Sequence, residues 1–185
     1  MRPTEELMTE HNAIKRMLGI LERVAQRLEE GRAVEAEHLE GIVDFIRGFA
    51  DRCHHGKEED LLFPAMEEAG VPRQGGPIGV MLHEHTQGRD YVRGLAEAVA
   101  AYRMGDDRAA SRIVANARGY AQLLSQHIYK EDNILYPMAD RFLSPQKQAE
   151  LEEGFARVER ERMGPGRHEA YHALLERLEE AYGRG

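Results

Sequence analysis

The chain has a single cysteine, Cys53, among 185 residues, so it cannot form an internal disulfide bond. It also lacks a long apolar run: no N-terminal stretch resembles a signal peptide, and none is long enough to span a membrane. Its 25 lysines and arginines are outnumbered by 33 acidic residues, and no basic stripe is present. This charge balance disfavours nucleic acid or an anionic membrane as a partner. Together these absences predict a cytoplasmic protein.

The first three-quarters of the sequence has strong helical periodicity. Apolar residues recur at alternating steps of three and four, which places them on one face of a helix. The pattern predicts a first helix from the N-cap Thr4 to Gly31 and a second over residues 33–69, with two more helices after the loops 70–77 and 104–107. We therefore predict an all-α fold, with an up-down-up-down four-helix bundle over residues 1–143.

Residues 144–185 are predicted to form an accessory C-terminal helical hairpin that packs on the bundle. Ser144 and Pro145 have the pattern of an N-cap and a first helical turn, and the segment "MGPGR" separates this helix from a last one at residues 168–182. Pro64 and Pro137 fall late in the second and fourth helices, where a kink or a helix end is expected.

One motif occurs twice, as "HHGKEEDLLFP" from His54 and as "HIYKEDNILYP" from His127. In both copies a lysine follows the histidine by three residues, a glutamate by four, and Leu-aromatic-Pro by eight to ten. His11 and His85 precede the two copies by 43 and 42 residues, and each follows a glutamate and precedes a lysine or arginine by four residues. The repeat predicts two similar helical hairpins related by a pseudo-twofold axis.

Six polar side chains lie on the apolar helix faces: His11, His54, Glu58, His85, His127 and Glu131. A buried carboxylate without a partner is costly, so two glutamates among imidazoles indicate a bound cation. Residues four apart on a helix share a face, which allows the histidine and glutamate of each HxxxE motif to reach one metal site. Such ligands hold pairs of iron or manganese ions in helix bundles.

Through these paired motifs the sequence resembles the hemerythrin-like, HHE cation-binding family over about residues 4 to 142. The resemblance implies a non-haem di-iron centre with an oxo or hydroxo bridge, and with manganese or zinc as alternative metals. By motif position, His11, His54, His85 and His127 are expected as terminal ligands. Glu58 and Glu131 are expected as bridging ligands.

The third helix departs from the pattern of the oxygen-carrying members of the family. Those members place two histidines four residues apart on this helix, whereas here Met81 and Arg89 stand at these offsets from His85. The resemblance then implies a more open and symmetric centre that reacts with dioxygen, nitric oxide or peroxide, and it disfavours reversible oxygen transport.

Several residues have alternative roles. His55 and Glu59 form a competing HxxxE pair one residue later, but this register breaks the alignment with His127. His83 is expected in a second shell or in solvent, and Arg89 is expected to bond a bound anion or a carboxylate. Packing roles are expected for Cys53 and Tyr120, and the pair His168 and His172 offers a weaker zinc motif.

The sequence favours a metal protein that binds or senses a small ligand. The alternatives are an enzyme that reduces nitric oxide or peroxide, a donor of iron for repair of iron centres, and an iron store. The cysteine-bearing N-terminal segment that the resemblance associates with repair proteins does not precede the first helix here, which disfavours the repair role. Whether the protein is an enzyme stays open at this point.

Overall fold

The structure, a computed structural model, describes residues 1–184, and that part of the chain consists of helices and connecting turns. The helices are α1 (Pro3–Glu29), α2 (residues 36–68), α3 (Pro77–Arg103), α4 (residues 109–142), α5 (residues 145–163) and α6 (Arg167–Tyr182). Helices α1 to α4 form a four-helix bundle in which α4 packs against both α1 and α3, and α2 packs against α3. The predicted all-α bundle with an additional C-terminal hairpin is confirmed.

The start of α1 differs from the sequence prediction. Pro3 occupies the first turn, and Arg2 is the N-cap. Proline suits this position because its fixed φ is already helical and its missing N–H is not needed there. Thr4 therefore lies inside the helix, where its hydroxyl donates a hydrogen bond to Asp140 (2.6 Å) instead of capping. Ser144 does cap α5, accepting a hydrogen bond from the Lys147 N–H (3.2 Å).

Helices α2 and α4 contain π-helical segments. They span Ile46–His55 and Glu58–Leu62 in α2, and Glu131–Leu135 in α4. Pro64 lies two residues after the segment Glu58–Leu62, and Pro137 lies two residues after Glu131–Leu135, each in the first turn of a resumed α-helix. Proline has no N–H to donate to the preceding turn, and the wider π-helical turn accommodates this missing hydrogen bond without ending the helix. Both helices therefore continue through the prolines, so neither helix ends there, which was one of the two outcomes that the sequence predicted.

The interior of the bundle has three layers. Two buried apolar clusters lie towards its two ends, and buried polar side chains lie between them. Along α1 the order is Leu7 in one cluster, then His11, then Ile14 in the other cluster. Along α4 it is Ile128, Glu131 and Leu135. Apolar packing thus covers the polar layer towards both ends of the bundle.

The C-terminal hairpin, α5 and α6, packs on α1 and α2. Arg16 of α1 forms two hydrogen bonds of 2.8 Å with the Glu179 carboxylate of α6. Lys57 of α2, whose side chain is fully buried, lies 3.0 Å from Glu159 of α5. No helix among residues 1–184 combines the length and apolarity needed to cross a membrane.

Candidate metal centre

The polar layer brings together seven side chains, each at most 4% exposed: His11, His54, His55, Glu58, His85, His127 and Glu131. They form two groups whose ligand atoms lie within 4.8 Å of one another. The first group is His11, His54, Glu58 and Glu131. The second group is His55, Glu58, His85 and His127. The structure therefore places all six sequence-predicted residues in one centre and adds His55.

The two glutamates lie between the groups. Glu58 directs one oxygen towards His54 Nε2 (3.5 Å) and the other towards His85 Nε2 (3.2 Å). Glu131 does the same, with one oxygen 3.0 Å from His11 Nε2 and the other 2.9 Å from His127 Nε2. Each carboxylate thus offers one oxygen to each group, which is the arrangement of a bridging ligand.

Several buried atoms at the centre have no hydrogen-bond partner among the described residues. They are Nε2 of His54, Nε2 of His55, Oε2 of Glu58 and Oε1 of Glu131. The two carboxylate oxygens lie close to His85 Nε2 and His127 Nε2, but these contacts do not have the geometry of hydrogen bonds. The Nε2 atoms of His85 and His127 face each other at 3.1 Å. Buried polar atoms are normally paired, so lone pairs that converge without donors fit a cation. Imidazole nitrogens with carboxylate oxygens suit iron, manganese or zinc.

A carboxylate holds the outer nitrogen of every histidine at the centre. The Nδ1 distances to these carboxylates are His11–Asp132 2.6 Å, His54–Glu10 2.9 Å, His55–Asp51 3.2 Å, His85–Glu59 3.1 Å and His127–Glu84 3.0 Å. A carboxylate in this position keeps the proton on Nδ1 and leaves the Nε2 lone pair free. All of these imidazoles are therefore oriented to donate Nε2 to a metal.

Lysine and arginine side chains pair with these carboxylates on the side away from the histidines. Lys57 donates to Glu10 (2.7 Å) and Lys15 to Asp132 (3.2 Å), Lys130 pairs with Glu84, and Arg89 pairs with both Asp51 and Glu59. This pattern follows the sequence repeat. The lysines three residues after the motif histidines, Lys57 and Lys130, contact the corresponding carboxylates Glu10 and Glu84. The cations four residues after His11 and His85 likewise contact the corresponding carboxylates Asp132 and Glu59. Arg89 therefore bonds carboxylates, one of the roles expected for it.

Without a metal, protons must balance the buried carboxylates. Burial opposes the charge of His11 and His127, but hydrogen bonds and the charge of Glu131 outweigh it and raise the pKa of each imidazole to about 9. Burial instead lowers the pKa of His55 to about 3 and also lowers that of His54. Burial opposes the ionised form of Glu131 too, yet the surrounding imidazoles hold its pKa well below the ordinary value. The centre is therefore built to hold positive charge.

His55 departs from the sequence expectation that the motif register would select only one of His54 and His55. Both lie in the π-helical segment, where a turn holds more residues than an α-helical turn, so neighbouring side chains diverge less. The His55 ring stacks on His85 with centroids 3.9 Å apart. A fifth imidazole is thus present, supplied by α2 instead of α3, and the argument against oxygen transport from a missing histidine no longer applies.

The alternative partner Glu59 is not at the centre but contacts it through His85 Nδ1. His83 is exposed on α3, in agreement with the expectation of a solvated residue.

The pseudo-twofold repeat is broken at two positions in the centre. His55 corresponds to Ile128 in the other half, and Tyr136 corresponds to Phe63. The Tyr136 hydroxyl donates a hydrogen bond to Glu58 and lies 3.3 Å from both Glu131 Oε2 and His11 Nε2. The first group therefore has two imidazoles and a phenol, and the second has three imidazoles.

Sequence reasoning missed Tyr136 and four of the five carboxylates bonded to Nδ1; Glu59 was named, as an alternative ligand or a member of a second shell. Tyr136 was visible as the aromatic position of the Leu-aromatic-Pro motif, where the two copies differ by one hydroxyl. The glutamates before His11 and His85 and the motif lysines were visible as repeated residues. Asp51 had no such signal, because it has no acidic counterpart in the other half.

The remaining candidates lie outside the centre. The Cys53 thiol donates to Glu159 (3.3 Å), and burial raises its pKa, so it stays a thiol. Glu10, Cys53 and Glu159 come close enough to hold an ion, but the ammonium of Lys57 already supplies the cation there. His168 bonds Glu159 (2.9 Å), and within residues 1–184 no group of three ligand side chains contains His168 or His172.

Comparisons with known proteins agree with this geometry. The family described as "Hemerythrin HHE cation binding domain" matches residues 2–139. An uncharacterised protein of Mycobacterium tuberculosis is 28% identical over 163 residues, which are 86% of this chain and 62% of that protein. The iron-sulfur cluster repair protein YtfE of Dickeya chrysanthemi is 30% identical over 139 residues, 71% of this chain and 61% of YtfE.

The repair protein DnrN of Neisseria gonorrhoeae is 35% identical over 86 residues, 45% of this chain and 54% of DnrN. The chain spans about six-tenths of the length of the first two relatives. The family match covers most of the chain and includes every residue of the centre. The chain therefore belongs to the hemerythrin HHE cation-binding family and carries a metal centre.

Proposed function

We propose that the protein is a non-haem di-iron protein whose centre binds a small ligand such as dioxygen, nitric oxide or peroxide. Glu58 and Glu131 face both groups, so the centre offers places for two ions. The first group would hold one ion through His11 and His54. The second group would hold the other ion through three imidazoles.

The observation that carries this proposal is the set of buried lone pairs without hydrogen bonds. Two imidazole nitrogens and two carboxylate oxygens converge there, and a hydrogen-bonded protein interior would not leave them unpaired. The similarity to YtfE and DnrN, which are named as iron-sulfur cluster repair proteins, supports iron as the metal. Bound iron would supply redox electrons and open coordination positions for a small ligand.

Elemental analysis of protein expressed with added iron tests the proposal directly. We expect about two iron ions per chain, as in other carboxylate-bridged bundles, and a visible spectrum that changes when nitric oxide or peroxide is added. Glu131→Ala should lose iron because its carboxylate serves both ions. Glu179→Ala is the matched control, since Glu179 is also buried but pairs with Arg16 outside the centre. Fewer than one metal per chain in the wild type would contradict the proposal.

A second candidate function is the donation of iron to damaged iron-sulfur clusters, which the similarity to YtfE supports. This function requires iron to leave the centre for an acceptor. Mixing the iron-loaded protein with an apo iron-sulfur protein, sulfide and a ferrous chelator would distinguish iron donation from the binding of a small ligand. Cluster formation that survives the chelator would favour donation, whereas iron retained through ligand binding would favour the first proposal. Inertness to dioxygen, nitric oxide and peroxide would favour iron storage instead.

A further inference from the structure

The C-terminal hairpin reaches the metal centre through Lys57 of α2. The Lys57 side chain is fully buried, and its ammonium is surrounded by three carboxylates: Glu6 at 2.8 Å and Glu10 at 2.7 Å, both from α1, and Glu159 of α5 at 3.0 Å. The other oxygen of Glu10 lies 2.9 Å from His54 Nδ1. An unbroken series of short contacts therefore joins α5 to a histidine of the first group.

The second group has no such connection to the hairpin. Lys130 corresponds to Lys57 in the sequence repeat, and Glu84 corresponds to Glu10. Among residues 1–184, Glu84 is the only carboxylate that pairs with Lys130, whose side chain is 34% exposed. The two halves of the centre are therefore supported unequally, because one lysine is buried among three carboxylates and the other meets one carboxylate and solvent.

Helix α5 covers only the first copy of the repeated motif. A Cβ on Gly154 of α5 would lie only 3.0 Å from Leu61 Cδ1, so the two helices approach closely at this glycine. The residue that corresponds to Leu61 in the second copy is Ile134, which is 50% exposed. Likewise Gly56 is buried, whereas the corresponding Tyr129 is 66% exposed. The hairpin therefore distinguishes two motifs that the sequence makes alike.

We propose that Glu159 is a positioning residue for the ion of the first group, and that the hairpin thereby sets how strongly His54 binds the metal. The inference rests on the proposed di-iron function and adds a role for the hairpin. His54 donates its Nδ1 proton to Glu10, and a more negative acceptor makes an imidazole a stronger metal ligand. Glu159 and Glu6 share the ammonium of Lys57, so less of its charge is left to neutralise Glu10.

Glu159→Gln removes this charge and keeps the size of the side chain. We expect the variant to bind one of its two iron ions about three- to tenfold more weakly, which is less than the usual effect, about 10- to 100-fold, of losing a carboxylate that bonds the histidine directly. The reduction potential of the centre should become more positive, because a weaker donor stabilises ferric iron less. Chelator competition and a redox titration followed by visible absorption measure the two effects.

Glu179→Gln is the matched control for the attachment of the hairpin. Glu179 also ties the hairpin to the bundle, through Arg16 of α1, but it has no contact with the centre. This variant should lower the free energy of unfolding and leave the iron affinity and the potential near wild type. Glu6→Gln removes a carboxylate from the same lysine without touching the hairpin, so it should shift the potential in the same direction as Glu159→Gln.

The outcomes separate this inference from the proposed function. A wild-type protein without iron would refute the function itself. Iron-loaded Glu159→Gln with wild-type affinity and potential would overturn the role of the hairpin and leave the di-iron centre standing. Equal shifts in Glu159→Gln and Glu179→Gln would also overturn it, since loosening of the hairpin would then explain both. If Glu159→Gln does not fold, Glu6→Gln decides: a wild-type potential in that variant would overturn the inference.

Discussion

The Tyr136 hydroxyl donates a hydrogen bond to Oε1 of Glu58, across the boundary between α4 and α2. The Tyr136 ring also stacks on His11, with centroids 5.4 Å apart and planes 16° from parallel. In the other half of the repeat Phe63 has no hydroxyl to offer. The two halves of the centre therefore differ in the hydrogen bonds that their glutamates receive.

Tyr136→Phe should retain iron but change its visible spectrum, because Glu58, which we propose as a bridging ligand, loses a donor. We expect the free energy of unfolding to fall by about 1 kcal/mol, the usual effect of losing one hydrogen bond. Urea unfolding and visible absorption measure the two effects. Tyr102→Phe removes a hydroxyl that bonds Val34 far from the centre, so it should lower stability without altering the spectrum. Identical spectra for wild type and Tyr136→Phe would contradict this role.

His55→Ala should lower the iron content, because His55 is one of three imidazoles of the second group. The sequence register alone predicted the opposite, namely that only His54→Ala would perturb the centre. His83→Ala removes an exposed histidine from α3 and should have no effect. Metal analysis of these variants checks the assignment, and full iron occupancy with an unchanged spectrum in His55→Ala would restore the sequence prediction.

Asp132→Asn and Glu59→Gln should each weaken metal binding about 10- to 100-fold, the usual effect of removing a carboxylate that orients a ligating histidine. The two residues hold Nδ1 of His11 and His85 at corresponding positions of the repeat. Asp140→Asn changes a carboxylate that bonds Thr4 outside the centre and serves as the control. Competition with a chelator measures the affinities, and equal values for all three variants would argue against oriented imidazoles.

The metal-free protein should lose stability as the pH rises from about 7 to 9.5. His11 and His127 have pKa values of about 9 in the fold, above the ordinary 6.5. A raised folded-state pKa stabilises the fold fully below 6.5, and this contribution disappears as the pH passes the folded-state value. For a shift of this size the expected loss is on the order of 3 kcal/mol for each histidine.

Denaturant unfolding of the metal-free and iron-loaded proteins across this range measures the effect. The iron-loaded protein should not show the decline, since metal replaces the protons. A metal-free protein whose stability is flat or rises between these pH values would refute the electrostatic account.

The sequence predicted the bundle and six residues of the centre because α-helical periodicity places them on common faces. It did not predict His55 at the centre, because the periodic pattern assumed α-helical turns, and a π-helical turn depends on backbone hydrogen bonds that the pattern does not contain. For the same reason the prolines were expected to kink or to end their helices. A role for Tyr136 could be predicted only from the difference between the two motif copies, which have Phe63 and Tyr136 at the same position.

In the π-helical segment Ile46–His55 each turn holds more residues than an α-helical turn, so the helix includes additional residues without forming a loop. Its backbone hydrogen bonds thereby determine how many nitrogen donors one helix can offer. Removing one residue from this segment, at a position such as Ala50 that is not a ligand, would rewind it and rotate either His54 or His55 out of the interior. The number of histidines that face the centre is therefore a property of helix winding as much as of residue identity.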